Sequence, residues 1–291
     1  MNIITGGVTA PKGFQAAGIH CGIKDNFTTP QPDKKDLAMI LSSVPCAAAG
    51  TYTRNVVKAD PVILTKEHLA DHQARGIIFD SGNANACTGD QGIADAEAMA
   101  ECTAEHLGIR PEEVMVFSTG VIGQPMPMDT ILSGIGICAE ALASGGDAVH
   151  QAIMTTDTKE KCFFVEEEIG GKTVSICGIA KGSGMIHPNM GTMLSYVVTD
   201  AAVTKEVLEH IQKTATHTTF NMVTVDGDTS TNDTAVILAN GCAENPVIDR
   251  MEGEDYEKFY DAVYYISECL AKAIAADGEG ASQMIEVDLK G

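Results

Sequence analysis

Residues 181–201 read Lys-Gly-Ser-Gly-Met-Ile-His-Pro-Asn-Met-Gly-Thr-Met-Leu-Ser-Tyr-Val-Val-Thr-Asp-Ala. A Gly-rich polar loop runs directly into Thr192, and an apolar run, Met193 to Val198, comes at once after it. Strand runs are normally entered through a turn residue, so a hydroxyl at the mouth of one is unusual. Gly191 has no Cβ, which leaves its carbonyl open to attack and its backbone free to take strained angles. The combination suggests a threonine that attacks its own peptide bond and becomes a new N-terminus. Such a residue is a complete small catalyst: the hydroxyl is the nucleophile and the freed α-amine the general base. That amine titrates near neutral pH, so no His or Asp partner is needed. An ordinary strand residue after a loop is the plainer alternative for Thr192.

Outward from this stretch, strand-like and helix-like segments alternate. Gly76 to Asp80 holds the apolar run Ile77-Ile78-Phe79, and Val114 to Phe117 is a second run ending in Ser118-Thr119-Gly120. Residues 91–107, 203–215 and 254–276 have helical spacing. Asp129 is placed to N-cap a helix running to about Ala143. Segments 163–168 and 172–179 flank Gly170-Gly171, which reads as a β-hairpin. Ala235 to Ala239 and Met284 to Leu289 read as strands. Strands mixed with helices and a hairpin predict an α/β protein with a partly antiparallel sheet, not a doubly wound parallel one.

Composition narrows the function classes. The 291 residues suffice for a large core and one large domain or two. No apolar run reaches membrane-spanning length, and the N-terminus lacks a basic-then-apolar signal, so a cytoplasmic protein is expected. A net charge of −21 argues against nucleic acid or an anionic membrane as partner. The nine cysteines are widely spaced without a C-x-x-C pair, as reduced thiols are; only Cys87 has polar surroundings. The eight histidines show no metal spacing. Lys181-Gly-Ser-Gly184 is too short for a dinucleotide fingerprint, and the Asp-rich run Asp226 to Asp233 lacks the Glu and spacing of an EF-hand. That run reads instead as a hydrogen-bonded loop near the site. No cofactor and no metal are expected.

Lys181 to Ala201 closely resembles the self-cleavage motif of the ornithine acetyltransferases, the ArgJ family of arginine biosynthesis. Further matches occur in family order along the chain. They are Gly6-Gly-Val-Thr-Ala-Pro-Lys-Gly-Phe14, Lys34-Lys-Asp-Leu-Ala38, Ser81-Gly-Asn-Ala-Asn-Ala-Cys-Thr-Gly89 and Ser118-Thr-Gly-Val-Ile-Gly123. Thr155-Thr-Asp-Thr158, Val225-Asp-Gly-Asp-Thr-Ser-Thr-Asn-Asp233 and Asp277-Gly-Glu-Gly280 complete the set. Each motif alone is weak; their order is specific.

The resemblance implies an αββα sandwich of the DmpA/ornithine acetyltransferase type, with mixed sheets and a smaller second region. It implies one catalytic region over 1–291, cut between Gly191 and Thr192 into an α chain, 1–191, and the start of a β chain, 192–291. Thr192 would take acetyl from N-acetyl-L-ornithine and pass it to L-glutamate; acetyl-CoA is a further possible donor substrate. Thr119 and Gly120 would form the oxyanion hole. Lys181 would face the substrate carboxylate and Glu279 the ornithine ammonium. Thr155 and Thr156 are the candidate hydroxyl contacts, and the sequence does not choose between them. Assembly into α/β heterotetramers or larger is expected. Gly191 stands where the family usually has Ala, a change that lowers crowding at the scissile carbonyl. The family fold continues past the position of Gly291, so its C-terminal part is expected to be absent from these residues. Two further readings stand beside the transferase: a related self-processing aminopeptidase or amidohydrolase, in which water deacylates Thr192, and an inactive truncated remnant.

Overall fold

The computed structural model describes residues 1–30, 33–143, 148–187 and 193–288. In chain order its elements are β1 (Asn2–Ile4), β2 (Phe14–Ile19), β3 (Leu37–Tyr52), α1 (Asp60–His68), β4 (Gln73–Asn83), α2 (Asp90–Leu107), β5 (Val114–Val121) and α3 (Met128–Glu140). After these come α4 (Val149–Ala152), β6 (Lys161–Ile169), β7 (Lys172–Lys181), β8 (Leu194–Thr199), α5 (Lys205–Thr218), β9 (Thr234–Ala239) and α6 (Glu254–Ala276).

The strands form one ladder in the order β1-β6-β7-β8-β9-β3-β4-β5, with β2 also paired to β3. The β4–β5 and β8–β9 pairs are parallel and the rest antiparallel. Each parallel pair is bridged by a helix, α2 or α5, as parallel neighbours require. The 16-residue β3 is the fold's corner. Its first half pairs with β2 and β4; past a register break between Leu41 and Cys46, Cys46 and Ala47 still meet β4 while Ala47 to Tyr52 pair with β9. There the ladder turns over, so that its two halves face each other.

The burial pattern records this layering residue by residue. Ile77, Phe79, Met115 and Phe117 pack against Cys177, Ile179, Tyr196, Val236 and Leu238 in a core between the two sheets. The alternate residues Met39, Ile78, Val114 and Val116 face the other way, onto Ala96, Met99 and Ala100 of α2 and Ile131 and Ile135 of α3. On the opposite side Ile176, Val197 and Ile237 face Val207, Leu208 and Ile211 of α5 and Phe259, Val263, Ile266 and Leu270 of α6. Three cores separate four layers, which is an αββα sandwich. Strands buried on both faces lose the polar alternation of one-sided sheets, hence the near-continuous apolar runs. Tyr196 stands edge-on to Phe117, with ring centroids 4.8 Å apart, and ties the two sheets together beneath the site. An aromatic pair of this geometry adds about 0.5–1.5 kcal/mol beyond its burial.

Two expectations are corrected. Asp129 does not cap α3: the helix begins at Met128, Pro127 occupies the N-cap position without a side-chain cap, and Asp129 lies in the first turn. Residues 284–288 are not a strand and are exposed; Leu289 lies outside the described residues. A strand needs a neighbouring strand to satisfy its backbone; Glu286 instead meets α6, pairing with Lys272 Nζ at 2.9 Å. Among the described residues, no helix is long and apolar enough to cross a membrane.

Candidate active site

The β5 strand ends at the mouth of the sandwich and carries Thr119 and Gly120; the β7 strand of the facing sheet ends beside it at Lys181. Thr119, Gly120, Thr155, Thr156, Lys181 and Glu279 all line one cavity of about 400 Å³. Thr192 and Gly191 lie outside the described residues. Met193, the next residue, donates its N–H to Asp233 Oδ1 at 2.9 Å, which anchors the start of β8.

Thr119 is buried and Lys181 almost fully so. The Lys181 ammonium donates to Thr119 Oγ1 at 3.3 Å. A hydroxyl that accepts here still has its own proton to donate elsewhere. Burial pushes the Lys181 ammonium below its ordinary range, and the nearby Asp157 carboxylate offsets part of that. Gly120 has φ +138°, and a Cβ on it would stand 2.3 Å from the carbonyl carbon of Gly82, its partner across β4–β5. Only glycine lets the two backbones approach this closely.

A buried ionic group fixes the far wall. Lys161 Nζ donates to Asp157 Oδ1 at 2.7 Å and to Asp277 Oδ2 at 2.6 Å, and all three side chains are essentially excluded from solvent. Asp157 also accepts from Gly182 N–H at 2.7 Å and Thr155 N–H at 3.2 Å. Asp277 accepts from the Thr158 hydroxyl and from its N–H at 3.0 Å. Lys161 thus joins the 155–158 turn, the segment after β7 and the end of α6. Burial alone would raise the Asp157 carboxyl; Lys181, Lys161 and the Gly182 N–H hold it below the usual carboxylate range. Sequence motifs mark the threonines and Glu279 in these loops. The aspartates beside them, and a lysine four residues on, are what hold the loops in place.

The two threonines separate. The Thr156 hydroxyl shares a hydrogen bond with Ser183 Oγ at 2.7 Å, whereas the Thr155 hydroxyl has no partner among the described residues. Glu279 is held by its N–H, which donates to Ser183 O at 2.8 Å, and its carboxylate lies over Gly184. The Asp226 to Asp233 loop supports the segment after β7. Asp226 accepts from Met185 N–H at 2.5 Å and Ile186 N–H at 3.0 Å. Asn232 joins it to the site strands by donating to Ser118 O at 2.8 Å. Cys87 is exposed and does not line the cavity. Lys24 and Lys34 do line it; the sequence assigns neither of them a role, and Lys24 is turned inward by carbonyls of Lys35 and of the distant Met154.

A model of the ArgJ family matches residues 15–291. The chain belongs to the ArgJ family. An arginine biosynthesis bifunctional protein ArgJ from Symbiobacterium thermophilum is 54% identical over 293 aligned residues, covering all of this chain and 71% of that protein. Among solved structures, an ornithine acetyltransferase from Mycobacterium tuberculosis, complexed with ornithine, is 41% identical with a TM-score of 0.57, over 62% of this chain and 94% of that one. An L-aminopeptidase D-Ala-esterase/amidase from Ochrobactrum anthropi, described as a variant of the Ntn hydrolase fold, is 11% identical with a TM-score of 0.55, over 96% and 88%. That last likeness is one of fold alone. The ArgJ family assignment agrees with the four-layer sandwich.

Proposed function

We propose that this chain is a self-cleaving acetyltransferase that moves acetyl from N-acetyl-L-ornithine to L-glutamate, with Thr192 as nucleophile. The observation that carries the reading is the single cavity lined by Thr119, Gly120, Thr155, Lys181 and Glu279 in a member of the ArgJ family. In processing, Thr192 Oγ attacks the Gly191 carbonyl carbon and the acyl group shifts from nitrogen to oxygen. Water then hydrolyses the ester, freeing the Gly191 carboxylate and the Thr192 α-amine. In turnover that amine accepts the hydroxyl proton as Oγ attacks the acetyl carbonyl. The developing oxyanion meets the Thr119 O–H and the Gly120 N–H. The amine returns the proton to the leaving α-nitrogen of ornithine, and acetyl-Thr192 remains. The α-amine of glutamate attacks that ester, and the steps reverse.

Lys181 pairs with the substrate α-carboxylate, Glu279 with the ornithine side-chain ammonium, and the uncommitted Thr155 hydroxyl with the substrate backbone. The proposal extends to acetyl-CoA as a second donor, to assembly of the two cut chains as heterotetramers or larger, and to a cytoplasmic location.

Intact-mass measurement of purified protein tests the cleavage. Chains ending at Gly191 and starting at Thr192 are expected, with Thr192→Ala uncut; a wild-type chain left whole, or a variant still cut at that bond, overturns it. Incubation with acetylornithine tests the transfer. Acetylglutamate should form only when glutamate is present, and acetate release independent of glutamate would point to a hydrolase instead.

A further inference from the structure

The proposed reaction, on which this inference rests, places a demand on one cavity. The leaving product carries a side-chain ammonium, and the incoming acceptor carries a side-chain carboxylate. Glu279 suits the first and repels the second. The acceptor therefore needs a different wall for its side chain.

The cavity has such a wall. Although the chain carries a net charge of −21, three of its lysines, Lys24, Lys34 and Lys181, line the same 400 Å³ space. Lys24 is held in place by its own shell. Its N–H donates to Asp36 Oδ2 at 3.2 Å, and its ammonium donates to Lys35 O at 2.7 Å and to Met154 O at 2.9 Å. Carbonyls position an ammonium without cancelling its charge, and two bonds leave one of its three protons to give. Among the described residues, no carboxylate oxygen lies within 4.0 Å of Lys24 Nζ. The Met154 carbonyl belongs to the turn that presents Thr155, so Lys24 is registered to the substrate-facing loop. Burial lowers the Lys24 ammonium to about 8; the Asp36 field opposes that, and the fields of Lys34 and Lys181 add to it. An anion brought into the cavity would relieve that burden.

We infer that Lys24, assisted by the more exposed Lys34, forms an anion subsite that takes the side-chain carboxylate of the acyl acceptor. The cavity then has two ends about Lys181: an acidic end at Glu279 for the cationic donor side chain, and a basic end at Lys24 for the anionic acceptor. Lys181 serves the α-carboxylate that both substrates share. One nucleophile can in this way serve two substrates of opposite side-chain charge in alternation, without moving a wall.

The test compares glutamate with glutamine, its neutral near-isostere, as acceptor from acetylornithine. Values of kcat/KM are measured for wild type, Lys24→Gln, Lys34→Gln and Lys24→Arg. Wild type should prefer glutamate. Lys24→Gln should cut the glutamate-to-glutamine ratio by about tenfold or more, the scale of one charge-assisted hydrogen bond, through KM for glutamate. Lys34→Gln should cut it less, and Lys24→Arg should keep the preference. If Lys24→Gln slows both acceptors equally, Lys24 is only a staple between loops and the inference falls. If wild type forms no acetylglutamate, the transferase reading itself fails. If wild type transfers and its preference survives Lys24→Gln, only the subsite is wrong.

Discussion

The Lys181 ammonium donates to the Thr119 hydroxyl at 3.3 Å, from a strand in one sheet of the sandwich to a strand in the other. A buried cation behind the hydroxyl makes its proton a better donor toward negative charge formed in front of it. Thr119→Ala should lower kcat about 100- to 1,000-fold, the range found on removing one oxyanion donor. Thr119→Ser keeps the hydroxyl and should keep most of the rate. Steady-state kinetics with acetylornithine and glutamate decide it; an Ala variant of wild-type rate would remove Thr119 from the oxyanion site.

Lys161 stands between two buried carboxylates. Replacing it with Met removes the cation both share, and breaking a buried pair from one side costs about 3–5 kcal/mol. The effect has a pH signature. Asp157 and Asp277 are held below their ordinary 3.8, so their contribution is present above pH 3.8 and is lost as pH falls through their lower native values. Urea titrations should show Lys161→Met far less stable than wild type near neutral pH, with the gap closing below pH 3.8. A gap independent of pH would mean that packing, not charge, is what Lys161 contributes.

Asp80 gives the opposite sign. It is fully buried on β4 opposite Ser118, and burial lifts its carboxyl well above 3.8. The unfolded chain ionises it at ordinary pH and the folded chain resists, so native stability falls as pH rises above 3.8 until the native group ionises too. Asp80→Asn removes that loss. Calorimetry should find the variant with the higher Tm near neutral pH and no advantage below pH 3.8.

At Gly120 the obstacle is steric. Its φ of +138° and the Gly82 carbonyl carbon 2.3 Å from any added Cβ leave no room for a methyl group. Gly120→Ala should destabilise by more than about 1 kcal/mol, the exchange being unfavourable wherever native φ is positive. It should also lower kcat by shifting the neighbouring Thr119. Paired urea unfolding and kinetics test both effects.

Much of the fold is readable in the sequence, and the failures have physical causes. Gly170-Gly171 announces the β6–β7 hairpin because both glycines take positive φ there. The apolar spacing over 254–276 announces α6, whose buried residues Phe259, Val263, Ile266 and Leu270 recur at helical intervals. The long β3 gives no such signal: it holds Ser42, Ser43, Pro45 and a run of alanines, and changes partners midway, so neither period nor propensity marks it. Of the site, Thr119, Lys181 and Glu279 are marked by the motifs around them. Lys24 is not, because its inward position is set by the carbonyls of Lys35 and Met154, one of them 130 residues away.

The place of β8 in the ladder governs the behaviour of a chain cut at Gly191–Thr192. β8 and β9 lie between β7 and β3, paired to each through six-residue registers. Residues 192–291 therefore supply inner strands of a sheet whose flanking strands belong to residues 1–191. Neither fragment alone would close its ladder, and each would bare unpaired edges. Scission would change the molecularity of unfolding from one to two. The melting temperature of the cut protein should then rise more steeply with its concentration than that of uncut Thr192→Ala.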